Sequence, residues 1–241
     1  PALKPGVFHS GLWIQDASSV RHPTSLVQAY AQAFVQAGGL CKQAQLTRLE
    51  PVAGAWRVHT DQGTMSAPQV VLALGPWSET FLAPLGVHVP LIQERGQHME
   101  LTPAGAHRLS RPIHDTAAAY VLSPMSHAYR LTTGVELNHQ LAPLSDPAQD
   151  QMQQALRAAG ESLDWHASPH PTPWLGSRPT LPDARPMVGE SSRHRGLWLA
   201  LGHQHIGLST GPASGELLAQ LFSGQAPQID PTPFSPKRWG C

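Results

Sequence analysis

The segment from Ser177 to Gly215 restricts the fold of this chain more than any other part of the sequence. It begins with a loop that carries an arginine, residues 177–183, Ser-Arg-Pro-Thr-Leu-Pro-Asp. An apolar run, Leu197–Leu201, then leads into a turn flanked by Gly202 and Gly207, ahead of a helix. In α/β folds, a strand that delivers such a turn to a helix amino terminus binds anions and electron-poor rings. The segment therefore predicts a cofactor site.

Length and charge narrow the function classes. With 241 residues the chain can bury a sizeable core, as one large domain or two interleaved ones. Lys plus Arg and Asp plus Glu both number 16, and charged residues make up only 13% of the chain. A nucleic-acid partner is not expected, because such partners require a basic face.

The cysteines and the apolar runs bear on the compartment. Cys41 and Cys241 are too few and too far apart for a disulfide framework or a metal motif, and they fit a reducing compartment best. The longest apolar runs, such as Val70–Gly75, are far shorter than the roughly 20 residues of a membrane-spanning helix. No signal peptide is visible. We therefore expect a cytoplasmic protein without a transmembrane segment.

The first part of the chain predicts a helix followed by strands. Thr24 can cap a helix whose apolar residues follow the helical period until Gly38. Two short strands flank Asp61 and predict a hairpin over residues 56–66. The uniformly apolar Val70–Leu74 predicts a strand that is covered on both faces.

The middle of the chain changes to a β-rich pattern with one helix. Strands are predicted over residues 97–101, 119–123 and 129–137. Asp146 is predicted to cap the helix, which should end at Gly160. This pattern favours a mixed antiparallel domain.

The last part of the chain returns to an α/β pattern. Leu197–Leu201 predicts a strand, and Pro212 is predicted to begin the final helix. The expected fold class is α/β, or α+β overall. We expect a cofactor-domain remainder, interleaved with part of a second domain, over residues 1–85, the second domain over 86–175, and a return to the first over 176–241.

Several blocks in a fixed order support a family resemblance that covers nearly the whole chain. They are Gly-Leu-Trp-Ile at residues 11–14, Val70–Ser78, Leu85–Gly86 leading to Arg95–Gly96, Tyr120–Pro124 followed by Arg130, and the segment from Ser177 to Gly215. Together they resemble the C-terminal part of the FAD-dependent amine oxidoreductases, which include D-amino acid dehydrogenases, glycine oxidase and sarcosine oxidase. The resemblance implies FAD as the cofactor, an incomplete Rossmann-like FAD domain, and a β-rich substrate domain that covers the flavin ring.

One part of that family pattern does not occur in the sequence. The Gly-x-Gly-x-x-Gly turn that holds the pyrophosphate of FAD is absent, and the chain begins at Pro1 without an initiator methionine. We interpret the chain as the C-terminal portion of a longer protein. A missing N-terminal segment or a partner subunit is therefore an expected partner.

The resemblance assigns three candidate catalytic residues. Arg178 falls on the arginine that grips the substrate carboxylate, a task that suits the rigid fork of a guanidinium. The alternative is a structural arginine that binds loop carbonyls. Tyr120 falls on an active-site tyrosine, with a core tyrosine as the equal alternative. His205 falls where a second polar side chain lies above the flavin.

The resemblance also assigns residues that bind the cofactor. The backbone N–H groups ahead of the last helix are expected near the flavin N1–C2=O region, where the helix dipole favours negative charge. These residues are Gly202, His203, Gln204, His205, Ile206, Gly207, Leu208 and Ser209. Leu46, Ala73, Gly75 and Trp77 match positions near the adenosine. Without the resemblance, the turn is an ordinary strand-to-helix connection and Leu46 an ordinary strand residue.

Two other site types are not supported by the sequence. Fourteen histidines are present, but His203 and His205 lack the spacing and the carboxylate neighbours of a standard metal site. We assign no metal. In Gly211–Gly215 the serine stands one place too late for Gly-x-Ser-x-Gly, and no catalytic triad is evident.

The resulting hypothesis is an enzyme that oxidises a D-amino acid or a related secondary amine. Residues 177–183 and the turn after Leu201 look most like the dehydrogenases, which pass electrons to a quinone or another acceptor. Peripheral contact with the inner membrane is compatible with such an acceptor. Two alternatives stay open: a non-catalytic or partner-dependent fragment, and an FAD enzyme that modifies a tRNA base, which the zero net charge disfavours.

Overall fold

The computed structural model describes residues 2–138, 142–167 and 173–241 of the chain. Its α-helices in this part are α1 (Pro23–Gln36), α2 (Ser78–Leu82), α3 (Asp146–Ser162) and α4 (Gly207–Phe222). The strands are β1 (Leu46–Val52), β2 (Ala55–Thr60), β3 (Gly63–Ala67), β4 (Val70–Leu72), β5 (Ile92–Pro103), β6 (Ile113–Asp115), β7 (Tyr120–Pro124), β8 (Tyr129–Leu137), β9 (Trp165–His166), β10 (Trp174–Thr180), β11 (Met187–Glu190) and β12 (Leu197–Leu201). Short 3₁₀ turns flank α2 and follow α4. This is the mixed α/β class that the sequence predicts.

The chain forms two compact units, each made of two separate stretches. Unit 1 contains Pro1–Gly39 and Arg95–Gly176. Unit 2 contains Leu40–Glu94 and Ser177–Cys241. The chain therefore passes from one unit to the other three times, the last time inside β10.

Unit 1 is organised around a six-stranded sheet of order β10-β5-β8-β7-β6, with β9 paired to β5. Alternation along β7 turns Tyr120 and Leu122 into the core, while Val121 and Ser123 are only half-buried. Helix α3 packs on β8 and contributes the fully buried Ala155 and Ala159. The apolar core of this unit thus lies between one sheet face and one helix.

Unit 2 contains two three-stranded sheets and α4. In one sheet, of order β11-β12-β4, the neighbours β12 and β4 run parallel. The other is the antiparallel meander β1-β2-β3. The core of unit 2 contains Leu72, Leu199 and Met187, together with Trp56 from the meander. Cys241, at the end of the chain, is 1% exposed and also belongs to this core.

Several elements agree closely with the sequence prediction. The hairpin over residues 56–66 is confirmed as β2 and β3. The strands predicted over residues 129–137 and Leu197–Leu201 have the bounds of β8 and β12. Alternating apolar residues are typical of a strand with one buried face, and a continuous apolar run is typical of a strand buried on both faces. These strands can therefore be predicted from the sequence.

The helix starts differ from the prediction. Helix α1 begins at Pro23, and the Nδ1 atom of His22, rather than Thr24, accepts the capping hydrogen bond from the backbone of Ser25. Ser145 caps α3, where Asp146 was predicted, because its Oγ accepts from the N–H of Ala148. Ser145 and Asp146 are adjacent and have similar capping ability, so spacing alone does not select between them, whereas His22 is not a usual capping residue.

Two further predictions are wrong in detail. Pro212 lies inside α4 and does not begin it, since the helix starts five residues earlier at Gly207. Strand β4 is an edge strand whose Val71 is 43% exposed, so it is not covered on both faces. In the described part of the chain, no helix has both the length and the apolar character that crossing a bilayer requires.

The core of unit 1 gives a direct stability test. We expect Leu122→Ala to lower the free energy of unfolding by about 2–5 kcal/mol, because Leu122 is fully buried in β7 and its removal leaves a cavity. Urea denaturation followed by circular dichroism measures the loss. The exposed Thr102→Ala in β5 serves as the control and should change stability by about 0.5 kcal/mol or less. Equal losses for both variants would contradict this description of the core.

Candidate active site

Two parallel strands of unit 2 end at the same edge of their sheet. Leu199 of β12 lies beside Leu72 of β4 in the parallel register. The carboxyl ends of parallel strands form the usual ligand edge of an α/β sheet. Most of the predicted cofactor-binding residues follow these two ends, and they are Ala73, Gly75, Trp77, Gly202, His203, Gln204, His205, Ile206, Gly207, Leu208 and Ser209. The fold of unit 2 therefore brings these residues to one edge.

The turn after β12 requires glycine at its first position. Gly202 has φ +80°, a conformation that residues with a side chain rarely adopt. A Cβ atom at Gly202 would also lie 2.6 Å from Cδ1 of the buried Leu181. Backbone conformation and close packing thus exclude a side chain here, and they bring the turn against the loop that follows β10.

The strand that carries Arg178 is fixed to this turn by its backbone. Thr180 and His203 form an isolated antiparallel bridge. The backbone N–H of Gln204 donates to the carbonyl oxygen of Pro179 at 3.0 Å. Arg178 precedes Pro179 directly, so it is held next to the glycine turn.

Three buried polar atoms at this junction have no partner among the described residues. They are Nη1 of Arg178, Nε2 of Gln204 and Oγ1 of Thr180. A buried polar group without a hydrogen bond destabilises the fold by about 1–3 kcal/mol. Two of these atoms can only donate and the third can donate or accept. The junction is therefore suited to a ligand that presents oxygen acceptors.

An ion pair braces the loop that follows Arg178. Nε of Arg238 donates to Oδ2 of Asp183 at 2.8 Å, and the other Arg238 nitrogens donate to loop carbonyls, including that of Pro186. Burial acts to raise the pKa of the Asp183 carboxyl, but the hydrogen bonds from Arg238 and from the backbone of Arg185 outweigh it. The pKa of Asp183 therefore lies below its ordinary value. The carboxylate form holds the loop in place.

Helix α4 presents its amino terminus directly after the turn. The carbonyl oxygen of Ile206 accepts from the backbone N–H groups of Ser209 and Thr210, each at 3.0 Å. No side chain caps the helix start. The first N–H groups of a helix lack partners within the helix, and the helix dipole adds positive potential there. An acceptor oxygen is favoured at this end of α4.

The two histidines of the turn differ in their surroundings. His203 is half-buried, and its Nε2 lies 2.9 Å from Oγ of Ser214 on α4. Burial lowers the pKa of His203, so its imidazole is neutral at pH 7. His205 is exposed, as is Leu208 in the first turn of α4. The exposed residues are free to contact a ligand.

Two predicted site residues are not among those that follow these strand ends. Tyr120 is 2% exposed in the core of unit 1, and its hydroxyl donates to Oγ of Ser162 at 3.4 Å. Burial, the largest cause, raises the pKa of this hydroxyl. This position favours the core alternative for Tyr120. Leu46 starts β1 in the meander, where it is half-buried against the core of unit 2.

Thr180 is the residue that sequence reasoning missed. It is 8% exposed, and its unpartnered hydroxyl lies at the end of β10. The signal in the sequence was a hydroxyl residue between two prolines of the arginine-bearing loop. Thr180 lies at the junction because of its bridge to His203. That bridge joins residues far apart in sequence, so no local sequence pattern predicts it.

The described part of the chain also contains two cavities. A cavity of about 410 Å³ in unit 1 is lined by Arg95, Gln97 and Glu136 among others. A cavity of about 660 Å³ in unit 2 lies near Trp56 and Trp198. None of the predicted site residues lines either cavity. Within the described ranges, no group of three His, Cys, Asp or Glu side chains is placed to hold a metal ion.

Comparisons with known proteins give a consistent result. Residues 1–221 match the model of the FAD dependent oxidoreductase family named DAO. The chain is 33% identical to a glycine oxidase of Pseudomonas aeruginosa, covering 98% of this chain and 64% of the relative. It is 30% identical to a D-amino-acid oxidase of Bradyrhizobium diazoefficiens, covering 99% of this chain and 57% of the relative. The chain thus spans less than two thirds of the length of these curated relatives.

A solved structure shows the same fold. A glycine oxidase from Geobacillus kaustophilus superposes with a TM-score of 0.74 at 23% identity, covering 87% of this chain and 56% of that chain.

The glycine turn gives a second stability test. We expect Gly202→Ala to lower the free energy of unfolding by about 1–3 kcal/mol, because φ is positive there and the new Cβ would meet Leu181. Gly215→Ala is the matched control, since Gly215 lies in α4 with no atom within 4 Å of an added Cβ. The control should be neutral or stabilising by up to about 1 kcal/mol. Chemical denaturation compares the two, and a stable Gly202→Ala variant would contradict the close packing.

The Asp183 pair predicts a pH dependence of stability. The pKa of Asp183 is lowered in the folded state, so its stabilisation is present above the unfolded pKa of about 3.9 and is lost as pH falls through the folded value. We expect Asp183→Asn to destabilise by about 0.5–3 kcal/mol at pH 7, and this difference should shrink below pH 4. Denaturation midpoints from pH 3 to 7 measure it, with the exposed Asp16→Asn as the control. A difference that is constant with pH would exclude an ionised Asp183 as the brace.

Proposed function

Because this chain belongs to the FAD-dependent oxidoreductase family, we propose that it provides the substrate-binding part of an enzyme that oxidises amino acids. The bond oxidised is the Cα–N bond of a D-amino acid or a related secondary amine. The observation that carries the proposal is the buried Nη1 of Arg178, beside the turn after β12, which has no hydrogen-bond partner in the described part of the chain. The relatives named glycine oxidase and D-amino-acid oxidase support the substrate class.

Arg178 would bind the carboxylate of the substrate. A guanidinium can donate two parallel hydrogen bonds to the two carboxylate oxygens, and this fixes the orientation of the group as well as its charge. Once the carboxylate is fixed, the position of the Cα–H bond follows from the tetrahedral carbon beside it. Arg178 would thereby orient the bond that is broken, without taking part in proton transfer.

The edge formed by β4, β12 and α4 fits FAD. The free amides at the start of α4 would face oxygen atoms of the flavin, and Gly75 has no side chain that would limit the close approach of the ligand. FAD, when bound, accepts a hydride from the substrate carbon. Leu46, Ala73 and Trp77 are proposed to lie near the adenosine half, and His205 near the substrate.

The chain supplies no strong base in this proposal, and it requires none. An amine that binds in its neutral form would give up its Cα hydride directly, and the iminium that forms would then react with water to give an oxo acid and an amine. His203 is neutral at pH 7 and is held by Ser214. His203 would therefore hold the turn in place and would not act as a base.

We propose that the electrons pass on to a quinone or a similar acceptor. The support is the resemblance of residues 177–183 and the turn after β12 to the dehydrogenases of the family. This acceptor is compatible with a cytoplasmic enzyme that contacts the inner membrane peripherally. Turnover measured under nitrogen with a soluble quinone, and in air without it, separates the two acceptors: quinone-only turnover supports the dehydrogenase, and oxygen-only turnover excludes it.

A second candidate is a chain that depends on another polypeptide segment to hold FAD. The specific observation is helix α1, in which none of the residues is buried, although Val27, Tyr30 and Phe34 are large and apolar. Residues 12–14, Leu-Trp-Ile, are 65% or more exposed. Exposed apolar groups of this size are typical of a surface that another segment covers. The 241-residue chain alone would then bind FAD weakly or not at all.

The visible absorption of flavin separates the two candidates. The purified 241-residue chain, mixed with FAD and passed through a desalting column, retains the flavin spectrum if its own residues suffice. A colourless protein supports dependence on a further segment. In that case the same experiment is repeated after co-expression with the flavin-binding half of a glycine oxidase.

The role of Arg178 is tested by kinetics on the flavin-loaded protein. We expect Arg178→Ala to lower kcat/KM for D-amino acids by roughly 10–1,000-fold, about 1.4–4 kcal/mol, with the flavin still bound. The exposed Arg195→Ala removes the same charge elsewhere in unit 2 and should leave kcat/KM within about twofold. Unchanged turnover by the Arg178 variant would remove this residue from the mechanism.

A further inference from the structure

Gln204 has two unfavourable features at once. Its φ is +54°, in the left-handed region that residues other than glycine rarely occupy. Its side-chain Nε2 is buried and has no partner among the described residues. A glycine would avoid both, as it does at the neighbouring Gly202. A strained residue that also buries an unpaired donor points to a function for its side chain.

The surroundings of Gln204 show what this side chain serves. Its backbone N–H bonds to Pro179, and Pro179 stands between Arg178 and Thr180. The unpartnered Nη1 of Arg178, Nε2 of Gln204 and Oγ1 of Thr180 therefore belong to segments that one backbone hydrogen bond and one bridge join. Three unpaired polar groups on two joined segments indicate one shared ligand more readily than three separate ones.

We infer that the side-chain amide of Gln204 and the guanidinium of Arg178 together bind one carboxylate, with the Thr180 hydroxyl as a third contact. This inference rests on the proposed function, and it identifies Gln204 as a substrate-binding residue. A carboxylate has two oxygens and about four lone-pair sites, so it can accept from both side chains at once. The selectivity for a free carboxylate over a neutral amide or ester would follow from this pair.

The charges at the junction favour an anion. Arg178 forms no ion pair with a described carboxylate, and the acid nearest to it in sequence, Asp183, is paired with Arg238. Amide and guanidinium nitrogens donate hydrogen bonds and cannot accept them. A cation would meet two nitrogen donors and one positive charge, so an anion is the favoured ligand of this pair.

The test measures acetate binding by ligand-observed NMR on the full chain with FAD added, and acetamide is the neutral comparison ligand. We expect the unaltered chain to bind acetate more tightly than acetamide. Gln204→Gly should weaken acetate binding about tenfold, the equivalent of 1.4 kcal/mol, and Gln204→Glu should abolish it by charge repulsion. Gln204→Gly should leave the melting temperature unchanged or raise it, because glycine relieves the positive φ.

Ala184→Gly is the matched control for the backbone effect. Ala184 is exposed in the loop after β10 and also has a positive φ, +59°, but it has no side-chain donor. Its replacement should not change acetate binding. A Gln204→Gly variant that melts at a lower temperature and binds acetate normally would show a structural role and overturn the inference.

The remaining outcomes separate this inference from the proposed function. If Arg178→Ala loses acetate and Gln204→Gly does not, the arginine keeps its role and the pairing is wrong. If neither variant changes acetate binding, or the unaltered chain binds no acetate, the pairing is wrong as well, and the kinetics of Arg178→Ala then decide the proposed function separately. If Gln204→Gly weakens the binding of riboflavin but not of acetate, the contact belongs to the flavin and the inference fails.

Discussion

The candidate site depends on one backbone hydrogen bond, from the N–H of Gln204 to the carbonyl oxygen of Pro179. Together with the Thr180–His203 bridge, it joins the end of β10 to the turn after β12. Proline suits this position because it has no N–H to satisfy but keeps a carbonyl that can accept. The bond converts two segments that are 25 residues apart in sequence into one rigid junction. Without it, the Thr180–His203 bridge alone would join the end of β10 that carries Arg178 to the glycine turn.

The junction also explains why glycine and a strained glutamine stand so close together. Gly202 has no side chain because Leu181 fills the space above it. Gln204, two residues later, keeps a side chain in spite of its positive φ. The tight turn between β12 and α4 accounts for the backbone conformation of both residues, and the proposed carboxylate contact accounts for glutamine where glycine would be less strained.

The sequence predicted those elements whose signal is local. Strands β8 and β12 were found with their bounds, because side-chain burial repeats along a strand and is visible in the sequence. The start of α4 was missed, since Pro212 is a common first residue of helices whereas here the carbonyl of Ile206 already begins the helical hydrogen bonds. Arg178 and the glycine turn were predicted as site residues through motif and resemblance, and their role stays a prediction. Thr180 was missed, because its importance depends on burial created by residues distant in sequence.

The charges around Arg178 favour the binding of an anion. Asp183 stands five residues after Arg178 and could in principle neutralise it, but hydrogen bonds from Arg238 and the Arg185 backbone hold its carboxylate instead. Asp183, the only acid in the loop between β10 and β11, therefore holds the loop backbone in place and does not pair with Arg178. Arg178 keeps its positive charge unpaired by described carboxylates, beside the positive end of α4. A partly buried positive charge without a counter-ion favours the binding of an anion, because the anion neutralises a charge that no described carboxylate neutralises.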